Sequence, residues 1–228
     1  MNYRKFITGA IIAFCSLLVE TGAQTPSSLT PRQRAITEIA SLTAKSELET
    51  LSNTLDSALD SVLTVSEAKE VIVHTYAYCG FPKALRGLQM LVSVIDTRKD
   101  AGKPVVEGRA ATPIDDSRSK YERGREILSE ISGVPADAPK PAYARLSPEV
   151  EVFLKEHLFC DLFERDVLTY AERELATVAV IAALGKGVEP MLRSHSGIAK
   201  RLGATDSQIE EIVENARSAD ETFPKRNL

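Results

Sequence analysis

Two side chains near the C-terminal end of the sequence carry the chemistry most easily read from it, Glu174 and His195. Glu174 stands at the head of an apolar run, Leu175 to Leu184, that Gly185-Lys186-Gly187 interrupts, and His195 stands in the helical segment that follows. Glycine tolerates the left-handed backbone at a helix C-terminus, so the run reads as helix, tight turn, helix. At about 1.5 Å of rise per residue, Glu174 lies roughly 16 Å and His195 roughly 12 Å from that turn. An antiparallel hairpin would therefore set a carboxylate and an imidazole at comparable depth, a couple suited to proton transfer.

The helices that must position this pair can be read from pattern. Leu175 to Leu184 is apolar nearly all round, the mark of a buried helix. The following segment, about Glu189 to Arg201, turns Leu192, Ile198, Ala199 and Leu202 inward. Upstream, Thr30 and Pro31 open a helix through Ile36 and Ile39, with Thr as N-cap and Pro at the first helical position. Leu48, Leu51, Leu55 and Leu59 share a face of a second helix. Thr64 to Glu67 is a capping box that starts a third, closed at Gly80. Ala84, Leu85, Leu88, Leu91, Val92 and Ile95 make a fourth. Period-two strand patterns are nearly absent, so the expected fold is all-α.

Composition sets limits. With 228 residues, 43% hydrophobic and 26% charged, the chain can bury the core of one or two compact domains. The net charge of −4 argues against nucleic acid or an anionic membrane surface as partner. Arg4 and Lys5, the apolar stretch from Phe6 to Val19 and the small residues ahead of Gln24 form the pattern of a secretory signal peptide over residues 1–23, too short for a stable membrane span. Cys15 raises a lipid-anchored alternative, against which the bulky Phe14 stands. The expected location is therefore outside the cytoplasm, periplasmic or secreted. Cys79 and Cys160 remain after cleavage, and their spacing does not say whether they pair.

Texture divides the rest. From residue 97 to 146 glycine, proline and charge dominate, with Gly102, Pro104, Gly108, Pro113, Pro135, Pro139 and Pro141; within this connector Ser119 to Ile131 could form a polar helix. Ser147 and Pro148 restart order, with Phe153, Leu154, Leu158, Leu162 and Phe163 as an expected buried stripe. An internal repeat ties the two sides together. Leu29, Thr30, Arg34, Ile36, Ile39 and Ala40 recur as Leu168, Thr169, Arg173, Leu175, Val178 and Ala179, and the Thr64 to Glu67 box recurs as Thr205 to Gln208. The expected organisation is a first helical unit over 24–96, the connector over 97–146, and a second unit over 147–228.

Leu168-Thr169, Arg173 to Thr177, His195 after Arg193, and Gly203 to Ile212, with Leu63 to Val71 and Tyr76 to Pro82 in the first unit, resemble the carboxymuconolactone decarboxylase family, which includes the alkylhydroperoxidase D type enzymes. The resemblance implies tandem all-helical units assembling into trimers or hexamers, with pockets near subunit contacts. It also implies a Glu, Cys-x-x-Cys, His relay in the peroxidase branch. Glu174 and His195 match its outer members, but Val188-Glu-Pro-Met-Leu192 stands where the thiols should be, so a decarboxylase-like reaction is favoured over peroxide reduction. In the first unit Ala35 sits where Glu174 sits, and Thr54 falls opposite His195 if a two-residue gap is allowed, leaving at most one complete site per chain.

A lyase of this kind would take a small organic acid or lactone, with Arg173 or Arg193 at the substrate's carboxylate and Tyr78 and Cys79 lining the pocket. No cofactor and no metal is expected: His157 and Cys160 have a spacing that zinc sites use, but a second pair is lacking. The structural alternatives are a helix-dipole carboxylate at Glu174, a satisfied histidine at His195, and packing residues at Tyr76, Tyr78 and Cys79, with His74 on a solvent-facing surface. Two functional alternatives also stand, a non-catalytic oligomeric binding protein with decayed sites and an atypical peroxidase using Cys79.

Overall fold

The computed structural model describes residues 27–114 and 116–218. The expected signal peptide lies outside the described residues. Among these, every regular element is helical. The chain runs α1 (Pro31–Lys45), α2 (Leu48–Ser61), α3 (Val65–Cys79), α4 (Phe81–Asp100), α5 (Lys120–Ser132), α6 (Ala142–Leu146) and α7 (Pro148–Phe153). A π-helical segment (Leu154–Leu162) follows, then α8 (Tyr170–Leu184), α9 (Glu189–Arg201) and α10 (Asp206–Ser218).

Capping chemistry sets the starts. Thr30, Thr64, Ser119 and Thr169 each accept from the backbone N–H three residues on, and the Gln or Glu there accepts in return from the cap's own N–H. Each reciprocal pair satisfies two orphan donors of a first turn. Arg32 then joins two of these starts, reaching Glu67 at 2.8 Å and Glu172 at 2.5 Å, so the N-termini of α1, α3 and α8 converge on one guanidinium.

α1 and α8 lie against each other at the centre, flanked by α2, α3 and α10. Ile36 and Ile39, Leu51 and Leu55, Val71 and Ile72, Val178 and Ile212 belong to one continuous hydrophobic cluster. Side chains from before and after the Gly/Pro-rich stretch thus share a core. On α8, Arg173 through Ala182 are all buried, as the all-round apolar pattern requires. Gly185 ends the helix at φ 80°, a conformation a side chain would strain.

Within the connector, α5 packs along the π segment, placing Ile127 and Ile131 against Leu158, Phe159, Leu162 and Phe163. Gly124 permits this approach: a Cβ there would stand 1.8 Å from the carbonyl oxygen of Lys155. The buried stripe differs from expectation at one end. Phe153 is 65% exposed, because the helix changes there from α to π winding and a stripe read at 3.6 residues per turn does not continue across the junction.

Candidate active site

α8 and α9 form the expected hairpin, and its two chemical side chains meet. His195 Nδ1 lies 2.9 Å from Glu174 Oε2. The Glu174 side chain is sealed from solvent while His195 keeps 14% of its side-chain surface, so the imidazole is the boundary between the interior and the outside. An imidazole that donates Nδ1–H to a carboxylate leaves Nε2 as a proton acceptor, oriented from behind. Among the described residues Nε2 has no hydrogen-bond partner.

α3 supplies a third wall. The Tyr78 ring meets His195 edge to face at 5.8 Å and tilts against His74 at 5.4 Å. Its hydroxyl is buried beside Thr177 without a hydrogen bond of good geometry, the Thr177 hydroxyl being engaged with Arg173 and His74, and Glu174 Oε1 is buried and unpartnered as well. Burial, and after it the charge of Glu174, push the Tyr78 hydroxyl well above the usual phenol range, so it stays a donor. A donor and an acceptor are thus left unpaired near the imidazole, closed off from solvent.

Behind this wall runs a polar network, buried except for Arg165 at its edge. Thr177 donates to the Arg173 carbonyl at 2.9 Å and so accepts from His74 Nε2–H at 2.9 Å. That tautomer leaves His74 Nδ1 to face Arg173 Nη1 at 3.5 Å. Burial first, then the Arg173 charge, depress the His74 pKa far below the ordinary imidazole value, which keeps the ring neutral. Arg173 donates through Nη2 to Glu70 Oε1 at 3.0 Å and to the Arg165 carbonyl at 2.6 Å, while Arg165 grips both oxygens of Glu70.

These facts sort the sequence expectations. Glu174, His195 and Tyr78 come together. Arg173, expected at a substrate carboxylate, is wholly buried and committed to Glu70, because a guanidinium inside a helical core needs a carboxylate partner. Arg193 is exposed; two residues from His195, it stands on the far side of α9. Cys79 is half-buried beside the main core, and no hydrogen bond joins it to Glu174 or His195. Burial pushes its thiol up. His74 is not solvent-facing but completely enclosed. Cys160 and Cys79 are both free thiols; Cys160 lies between Arg123 and Glu164, and His157 pairs with Asp161. Glu70, Thr177 and Arg165 escaped sequence reasoning. Their signal was a polar stripe, Glu70, His74 and Tyr78 four residues apart on α3, facing Arg173 and Thr177 four apart on α8.

Residues 148–223 match the model of the carboxymuconolactone decarboxylase family. No curated protein matches the chain. The family-matched segment contains Glu174 and His195, whereas Tyr78, His74 and Glu70 come from α3, outside it. The site is thus assembled from both sides of the connector. Ala35 and Thr54 line a separate cleft of about 600 Å³ between α1 and α2, with no histidine among its lining residues.

Proposed function

We propose that the protein is an exported enzyme of the carboxymuconolactone decarboxylase type, built from two tandem units, that moves a proton on a small organic acid or lactone. The observation that carries this reading is the 2.9 Å contact between a sealed Glu174 and a His195 that touches solvent. His195 Nε2 delivers or removes the proton, Glu174 orients the ring and stabilises the imidazolium, and the Tyr78 hydroxyl donates to the oxygen on which charge develops. Self-association is part of the same reading. On α4, Phe81, Leu85 and Val92 are exposed at helix-seam spacing, which suits a second copy of the chain.

The test is turnover of a panel of lactones and unsaturated carboxylic acids by the full exported chain, followed as carbon dioxide release or loss of the substrate's absorbance. His195→Ala and Glu174→Gln run beside it. Activity that both substitutions reduce at least about a hundredfold supports the reading. Activity indifferent to both would end it.

A peroxidase using Cys79 is the weaker reading, because burial holds that thiol above its usual range and the thiolate is the nucleophile. Alkylation rates decide this. Cys79 should react slowly at neutral pH and faster as pH rises, and hydroperoxide consumption should not change in Cys79→Ala.

A further inference from the structure

A second cavity, lined by neither Glu174 nor His195, lies beside α9. It occupies about 280 Å³ between α5, the loop 133–141, the start of the π segment and Ser194 and Ile198 of α9, at the small end of small-molecule sites. We propose that this cleft binds a small apolar monocarboxylate, with Arg125 as the anion's partner.

The electrostatics of the cleft select that chemistry. Its two lysines share a single carboxylate: Lys140 donates to Glu151 at 3.2 Å, and Lys155 pairs with the other oxygen of the same group. Glu151 is itself buried and also accepts from Tyr121 at 2.6 Å. Arg125 differs. It has no hydrogen bond or ion pair among the described residues, and its Nε–H is buried without a partner. An unsatisfied buried donor is costly, by roughly 1–3 kcal/mol, and a planar carboxylate is the group that a guanidinium's fork fits. Three cations against the one carboxylate leave the cleft positive, which suits an anion, and its largely apolar walls suit an organic one.

The remaining walls accept an apolar body. Leu128 on α5, Leu154 on the π segment and Ile198 on α9 face the cavity, and Ser129, one turn beyond Arg125, offers a hydroxyl on the same side. The covering loop is stiff and anchored. Pro135, Pro139 and Pro141 restrict it, Val134 N–H donates to Ser132 at 3.2 Å, and Lys140 ties its far end to Glu151. These restraints lower the cost of ordering the loop around a ligand.

The inference does not rest on the proposed activity of His195, and calorimetric titration of the full chain separates the two. The probes are benzoate and hexanoate, with benzyl alcohol, hexanol and inorganic sulfate as controls. Both carboxylates should bind with measurable heat, and the alcohols and sulfate at least tenfold more weakly. Arg125→Met should lower benzoate affinity at least tenfold while leaving the ligand-free melting temperature equal or higher, since it removes an unpaired buried donor. His195→Ala should bind benzoate as the parent does. Equal binding of benzoate and benzyl alcohol would overturn the proposal, as would sulfate binding as tightly as benzoate. So would full affinity in Arg125→Met, or affinity lost only in His195→Ala. The alcohol comparison uses the unaltered chain and stands even if Arg125→Met misfolds.

Discussion

Glu70 on α3 and Arg173 on α8 form a 3.0 Å ion pair from which solvent is shut out. The pair fixes the spacing of the two helices that carry Tyr78 and Glu174, so the polar interior acts as a frame for the site. Removing one partner strands the other. Glu70→Ala should cost about 3–5 kcal/mol in urea unfolding, the range for a buried charge left alone. Glu70→Ala combined with Arg173→Leu should recover much of that loss. If the single substitution costs under about 1 kcal/mol, the frame is not what holds α3 to α8.

His74 makes the fold sensitive to mild acid. Its folded pKa is depressed, chiefly by burial, so below the unfolded value of about 6.5 the unfolded chain binds a proton that the folded chain refuses. Its contribution to stability is complete above that pH and declines as pH falls through it, with a slope approaching 1.4 kcal/mol per pH unit. For Glu70, burial pushes the carboxyl up, but hydrogen bonds and charge from Arg165 and Arg173 outweigh it and hold it low, so its contribution is lost only below about pH 4.3. Denaturant midpoints at pH 7.5 and pH 5 should therefore differ for the parent and converge for His74→Gln, which keeps one donor and one acceptor. An unchanged gap in His74→Gln would assign the acid sensitivity elsewhere.

Gly124 reports on the contact between α5 and the π segment. Helix propensity alone favours Gly124→Ala by about 1 kcal/mol. The new methyl, however, would stand 1.8 Å from the Lys155 carbonyl oxygen and 3.1 Å from the Cys160 nitrogen, both backbone atoms. Overpacking of this kind costs about 1–3 kcal/mol, so a lower melting temperature is expected. A higher one would mean that α5 can ride away from the π segment without loss.

The local parts of this architecture were legible because they depend on near neighbours. The Thr64–Glu67 box, the glycine stop at Gly185 and the polar helix inside the connector all follow from chain-local chemistry. Counting residues from one turn also brought Glu174 level with His195. What escaped was long-range pairing. Nothing near Arg173 announces Glu70, 103 positions earlier, so its charge pointed outward to a substrate and not inward to a partner. His74 misled for the same reason: a lone polar residue on a half-apolar helix reads as surface until Thr177 is seen opposite. The π winding at Leu154 leaves no compositional trace, and a period of 3.6 residues per turn puts Phe153 inside.

Tyr78 separates a working site from a decayed one. Its hydroxyl is buried with no partner, so in the ligand-free protein it is a burden, and Tyr78→Phe should leave stability unchanged or raise it by about 1 kcal/mol. If the same hydroxyl donates to charge that develops during proton transfer, its loss should lower kcat by about a hundredfold or more, as removal of one preorganised donor does elsewhere. KM should change little, since the bond strengthens only in the transition state. The two measurements move in opposite directions only when the group serves a reaction. A variant that gains stability and keeps full turnover would remove Tyr78 from the chemistry while leaving Glu174 and His195 in place. A variant that loses both would make the hydroxyl structural.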